Sequence, residues 1–194
     1  MWRVFPFTNG PARPAGGPAR LTSGPARRQG GPLWFPRLYQ GGGRHDNPGQ
    51  YGVLYLAEDE VAALVEALAP FRGTGPLTQG LLRRAGRPLA MAEVVFAGLA
   101  ALIDLDDPAV LVDEGLRPSE VATRQRRVTQ SQALALYHRH PEAAGLRWWS
   151  TFEATWAQVS VFDRAEGLLR LVGTQLLALD QPAVRQAATF LGLA

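Results

Sequence analysis

The run Gly41-Gly42-Gly43-Arg44-His45 is the part of this sequence best equipped for chemistry. Glycines let the backbone approach a ligand closely, and the guanidinium at their end is a planar, permanently charged fork suited to a pyrophosphate. Taken alone the run is a generic Gly-rich turn, because it is not a GxGxxG following a strand. His45 and Asp46 are polar neighbours, but adjacent residues on an extended turn point apart and make a poor catalytic pair. Ser150, between Trp149 and Thr151, reads as an ordinary turn or cap residue or as a site residue. His138 and His140 do not share a helix face, which argues against a metal pair. Asp104, Asp106 and Asp107 precede Pro108 and read as a turn rather than a metal cluster. No metal and no cofactor is expected.

The elements that must position these residues are legible in the patterning. Gly52–Ala57 is apolar throughout and reads as a buried strand carrying Tyr55. The next stretch places Val61, Leu64, Val65 and Leu68 at helical spacing, with Glu58, Asp59 and Glu60 at the end where negative charge is favoured. At 100° per residue Glu66 projects roughly 150° from the centre of that apolar stripe, so it is either a solvated glutamate or faces a cleft formed by another layer. Tyr55 is likewise either core or a cleft-lining ring able to stack on a flat heterocycle.

Further strands are expected at about Arg3–Phe7, Ala101–Leu105, Trp156–Phe162 and Thr174–Asp180, with a further element near Leu33–Leu38. Helices are expected from Pro88 to about Leu99, within Arg117–Arg127 with Ser119 as its cap, over Thr129–His138 and over Pro182–Leu191. Strands and helices intermix without a regular βαβ repeat, which points to an α+β fold. At about residues 8–32 the tetrapeptide GPAR begins at Gly10, Gly17 and Gly24. Its Pro and Gly exclude a coiled coil despite the seven-residue period, leaving a flexible Gly/Pro/Arg-rich insertion.

Composition narrows the classes. With 194 residues and 46% apolar content the chain can bury one sizeable core, so a single domain is expected. There is no cysteine, which removes disulfides, thiolate metal sites and thiol nucleophiles. Every basic residue is Arg, which removes Schiff-base chemistry and the Lys of a P-loop. The opening MWRVFPF lacks the apolar core of a signal peptide, and no run approaches a membrane span, so a soluble cytoplasmic protein is expected. The net charge of +3 comes from the insertion, so no direct nucleic-acid binding is indicated.

The stretch QGGGRHDNPGQYGVLYLAEDEVAALVEALAPFRG resembles the core of the RES domain, found in toxins of bacterial toxin-antitoxin systems. Members carry a Gly-Gly-Arg turn, a strand with a Tyr, a helix with an inward Glu and a later Ser. Here these are Arg44, Tyr55, Glu66 and Ser150, the last in GLRWWSTFEATWAQVSVF. An Arg on the first strand is matched by Arg3, with Arg37 competing for that role. The resemblance covers most of the chain, from Met1 to about Asp163. RHDNP stands where Arg-Trp-Asn is more usual, and the GPAR insertion lengthens the loop between Arg3 and Arg44.

The resemblance implies an ADP-ribosyltransferase-like fold of mixed sheets flanked by helices. It also implies degradation of NAD, as substrate, by hydrolysis or phosphorolysis of the nicotinamide-ribosyl bond. On this reading Glu66 hydrogen-bonds the nicotinamide ribose, Arg44 with Arg3 holds the pyrophosphate or an incoming inorganic phosphate, Tyr55 packs on nicotinamide or ribose, and Ser150 orients the ribose or Glu66. The implied partner is an Xre-like helix-turn-helix antitoxin. Two other readings are an ADP-ribosyltransferase that modifies a macromolecule and a non-catalytic interaction module using the GPAR loop as a basic tether.

Overall fold

The computed structural model describes residues 1–8, 27 and 29–194. Most of the GPAR insertion, expected at residues 8–32, therefore lies outside the described residues. In chain order the elements are β1 (Trp2–Pro6), β2 (Val53–Ala57), α1 (Glu60–Leu68), β3 (Arg83–Arg84), β4 (Arg87–Phe96), β5 (Leu102–Asp104) and α2 (Pro108–Asp113). They continue as α3 (Pro118–Val121), α4 (Arg126–Arg139), β6 (Gly145–Trp149), β7 (Ala157–Phe162), β8 (Leu169–Leu176) and α5 (Pro182–Leu191). The chain packs as two compact units. The first comprises Met1–Trp34, Ala57–Val95 and Arg170–Ala194, and the second Phe35–Leu56 and Phe96–Leu169.

In the first unit β4 pairs antiparallel with β1, Trp2 facing Glu93 and Pro6 facing Leu89, and its start pairs with β3. β8 also pairs with β4. Helix α1 packs against β1 and α5. It starts where expected because the Asp59 side chain accepts the Ala62 amide at 2.9 Å and Glu60 lies in the first turn. Helix α5 has the expected bounds, with Pro182 at its start and Gly192 left-handed at its end, φ 68°.

Three expectations are corrected. The helix expected from Pro88 to about Leu99 is instead strand β4. Leu89, Ala90, Met91 and Ala92 are all buried, so no alternation marks the strand, and their helix propensity yields to pairing with β1. The last strand ends at Leu176, earlier than the expected Thr174–Asp180, because the Gln181 side chain closes a turn: Nε2 donates to Leu176 O at 2.9 Å and Oε1 accepts the Ala178 amide at 3.1 Å. The N-cap position of helix α3 is Arg117, not Ser119, without a side-chain cap, and Pro118 lies in its first turn.

In the second unit the strands run in the order β2, β7, β6, β5. β6 and β7 are antiparallel whereas β5 and β6 are parallel, so the sheet is mixed. Its core gathers Tyr51, Val53, Leu146, Trp148 and Phe162 with Ala133 and Leu136 of α4. The Asp104 to Pro108 segment is the expected turn: the Asp107 side chain caps α2 by accepting the Ala109 amide, and Asp104 pairs with Arg147 at 3.0 Å. The α+β class, with mixed sheet flanked by helices, is the one expected. Among the described residues no helix is long and apolar enough to cross a membrane.

Candidate functional site

The glycine turn of the second unit folds around a carboxylate of its own. Asp46 Oδ2 accepts the amides of Gly41 at 2.9 Å and Gly43 at 2.6 Å. Asp46 Oδ1 accepts the Tyr55 hydroxyl at 2.7 Å, and that hydroxyl in turn accepts the His45 amide at 2.9 Å. The approach requires glycine at position 43, where a Cβ would lie 2.6 Å from both Asp46 Oδ1 and the Tyr55 hydroxyl. A nest of glycine amides is a ready anion site, and here the anion is Asp46. Burial and the Asp46 charge hold the Tyr55 hydroxyl well above its ordinary value, so it remains a donor.

Arg44 points inward. It is buried, its Nη1 donates to Val121 O at 2.7 Å and Thr123 O at 2.8 Å, and its guanidinium stacks 4.7 Å from the centre of the Trp148 ring. Helix α4 holds the turn from the other side. Thr129 Oγ1 donates to Arg44 O at 2.6 Å, and Gln130 Nε2 donates to Gly41 O and Gly43 O at 3.0 and 2.8 Å. Arg44 therefore fastens the segment entering α4, while α4 fastens the turn that carries Arg44.

His45 and Asp46 do turn to different partners. His45 Nδ1 lies 2.8 Å from Ser160 Oγ, which also accepts the Trp148 indole N–H at 3.1 Å. Burial, reinforced by Arg44 and Arg126, pushes the imidazole down to about 3, so it is neutral near pH 7 and structural in this arrangement.

Ser150 continues the β6–β7 ladder, its amide donating to Trp156 O at 2.8 Å, and its Oγ accepts the Phe152 amide at 3.1 Å. Side chains alternate along a strand, so Ser150 shares a face with Trp148. Gln158, directly opposite Trp148 in β7, faces the same side. It is 5% exposed, and its Nε2 has no hydrogen-bond partner. A buried idle amide on the face that carries Ser150 is a candidate ligand contact that the sequence reading passed over. No local pattern marks it, because the β6–β7 register is what brings Gln158 opposite Trp148.

Arg44, Tyr55 and Ser150 thus belong to the second unit, where Arg44 and Tyr55 are joined through His45 and Asp46, and Trp148 lies on the face that carries Ser150. Arg37 also lies there, its Nε donating to Pro48 O at 2.6 Å and its guanidinium 3.8 Å from Asp163. Arg3 and Glu66 belong to the first unit. Arg3 Nη1 donates to Pro32 O at 2.5 Å and Trp34 O at 3.3 Å, and desolvation lowers its guanidinium to about 10. Glu66 is half-buried on α1, and Ala63, one turn earlier on the same face, is 7% exposed.

A family model described as the RES domain matches residues 5–180. Comparison by sequence with curated proteins gives no match. Among solved structures the chain is similar to a chain in the crystal structure of the M. tuberculosis MbcT-MbcA toxin-antitoxin complex, with 19% identity and a TM-score of 0.54 over 99% of this chain and 86% of that one.

Proposed function

Because the chain belongs to the RES-domain family, we propose that it is the toxin of a toxin-antitoxin pair and destroys NAD by breaking the nicotinamide-ribosyl bond. The observation that carries this reading is the family match over residues 5–180, within which Arg44, Tyr55, Glu66 and Ser150 fall in the order of the resemblance. The fold shared with a chain of a toxin-antitoxin complex supports an antitoxin partner, expected to be Xre-like.

The chemistry needs few groups. Nicotinamide leaves from an already cationic ring and takes the bonding electrons with it as a neutral molecule, so no general acid is required, unlike an ordinary glycoside. One carboxylate, Glu66, then suffices to stabilise the oxocarbenium charge that grows in the transition state. Tyr55, fixed at its hydroxyl by Asp46 and the His45 amide, presents a rigid ring to nicotinamide or ribose, and Ser150 orients the ribose. Water or inorganic phosphate attacks the anomeric carbon and loses its proton, giving ADP-ribose or its 1-phosphate.

The test is incubation of the purified chain with NAD labelled in its adenylate. Free ADP-ribose or its 1-phosphate shows degradation, whereas label on a macromolecule shows transfer and intact NAD refutes both. Glu66→Gln is expected to abolish NAD loss while unfolding at the wild-type temperature. Wild-type turnover by that variant would remove Glu66 from the mechanism.

A further inference from the structure

Strand alternation puts Gln158, Ser160 and Phe162 of β7 on one face, and the register sets Gln158 directly opposite Trp148 and Ser160 opposite Leu146. The contacts agree: Ser160 Oγ accepts the Trp148 indole N–H at 3.1 Å and lies 2.8 Å from His45 Nδ1. Ser150 prolongs β6 on the same side, and its Oγ accepts the Phe152 amide at 3.1 Å. Against these matched neighbours Gln158 stands apart. It is 5% exposed, and its Nε2 has no acceptor among the described residues. A primary amide nitrogen carries two N–H donors, and leaving them buried without an acceptor costs free energy that a leucine at the same place would not. Packing alone does not call for that amide, whereas an acceptor arriving with a ligand does.

Which acceptor it awaits follows from the surroundings, all of them in the second unit. Trp148 belongs to the core cluster, and Tyr55, whose hydroxyl is fixed by Asp46, packs against that cluster. The guanidinium over Trp148, that of Arg44, already donates to Val121 O and Thr123 O. An uncharged donor among aromatic rings suits an uncharged carbonyl on a flat ring better than a phosphate oxygen, which calls for a cation. NAD carries a single carbonyl, the carboxamide of its nicotinamide ring.

We propose that Gln158 reads the nicotinamide end of the dinucleotide, its Nε2 donating to the carboxamide oxygen while Ser150, on the same face, orients the adjoining ribose. This rests on the reading of NAD as substrate and adds a specificity-determining residue to it. A site built to hydrogen-bond a substrate group discriminates against a molecule that lacks the group, because the buried donor is then left idle. Gln158 therefore separates NAD from ADP-ribose, which shares everything but the nicotinamide.

The test is calorimetric titration of the whole chain with carba-NAD and, separately, with ADP-ribose. In carba-NAD a methylene replaces the ring oxygen of the nicotinamide ribose, so no oxocarbenium can form and binding is read without turnover. Wild type is compared with Gln158→Leu, whose fold circular dichroism checks; if that variant does not fold, Gln158→Met keeps the unbranched shape and still removes the donor. The variant is expected to bind carba-NAD about tenfold more weakly and ADP-ribose as wild type does. A purely structural role weakens both ligands alike or neither, and either result in a folded variant would overturn the proposal. If wild type binds carba-NAD through Gln158 yet leaves NAD intact, the contact stands and the catalytic reading falls. If wild type consumes NAD while the folded variant holds carba-NAD unchanged, the catalytic reading stands and the contact falls. A wild type that binds no carba-NAD has no such contact.

Discussion

Asp46 receives the Tyr55 hydroxyl on one carboxylate oxygen at 2.7 Å and two glycine amides on the other at 2.9 and 2.6 Å, so one buried side chain shapes the turn and aims the ring. The same carboxylate explains why Arg44 looks inward. The glycine nest already holds its counter-charge, and the guanidinium is free to tie down the approach to α4.

Removing that carboxylate should therefore be felt in both fold and function. Asp46→Ala leaves three donors without an acceptor and is expected to destabilise the protein by about 2 to 4 kcal/mol, whereas Tyr55→Phe, which removes one donor and one acceptor, should cost about 1 to 2 kcal/mol. Urea denaturation reads both. Equal losses from the two variants would mean that the glycine amides do not depend on Asp46.

Two neighbouring glycines should respond in opposite ways. A methyl at Gly43 meets Asp46 and the Tyr55 hydroxyl at 2.6 Å, while one at Gly42 meets nothing within 4 Å. Gly43→Ala is expected to destabilise by about 2 kcal/mol or more through overpacking, and Gly42→Ala to stay within about 0.5 kcal/mol of wild type. Thermal melting of the pair is the measurement, and a tolerated Gly43→Ala would contradict the close approach.

Stability should carry the signature of His45. Its folded value of about 3 lies below the unfolded one of 6.5, so between those values the unfolded chain binds the additional proton. The sign follows from linkage: His45 contributes fully above about pH 6.5, and its contribution is lost as pH falls toward 3, with a limiting slope of about 1.4 kcal/mol per pH unit. Denaturation midpoints measured across that window should show the slope in wild type and a reduced one in His45→Asn. An identical slope in the variant would assign the effect to other groups.

How much of this the sequence disclosed depends on how local each cause is. Helix α5 was legible to the residue because Pro182 and Gly192 punctuate its own ends, and α1 because Asp59 and the apolar spacing lie within it. Strand β4 was not, since a run buried on both faces has no period and its pairing with β1, β3 and β8 makes it a strand. In the site, the types and order of Arg44, Tyr55, Glu66 and Ser150 stood out, but the direction of Arg44 is set by carbonyls at Val121 and Thr123, far along the chain. Asp46 was not legible as the centre of the turn, because its side chain accepts amides three and five residues before it, whereas the familiar Asx turn bonds backbone two residues further on.

The idle amide of Gln158 separates stability from activity most cleanly. Its Nε2 is buried without an acceptor, a state that costs free energy in the resting protein. Gln158→Leu removes that unsatisfied donor at nearly the same volume, so its stability should equal or exceed that of wild type by up to about 1 kcal/mol. If the amide meets a ligand oxygen on the face it shares with Ser150, the same variant should raise KM for NAD about tenfold. A variant that is more stable with unaltered KM would leave Gln158 as a packing residue, and one that is less stable would show that Nε2 has a partner in the folded chain.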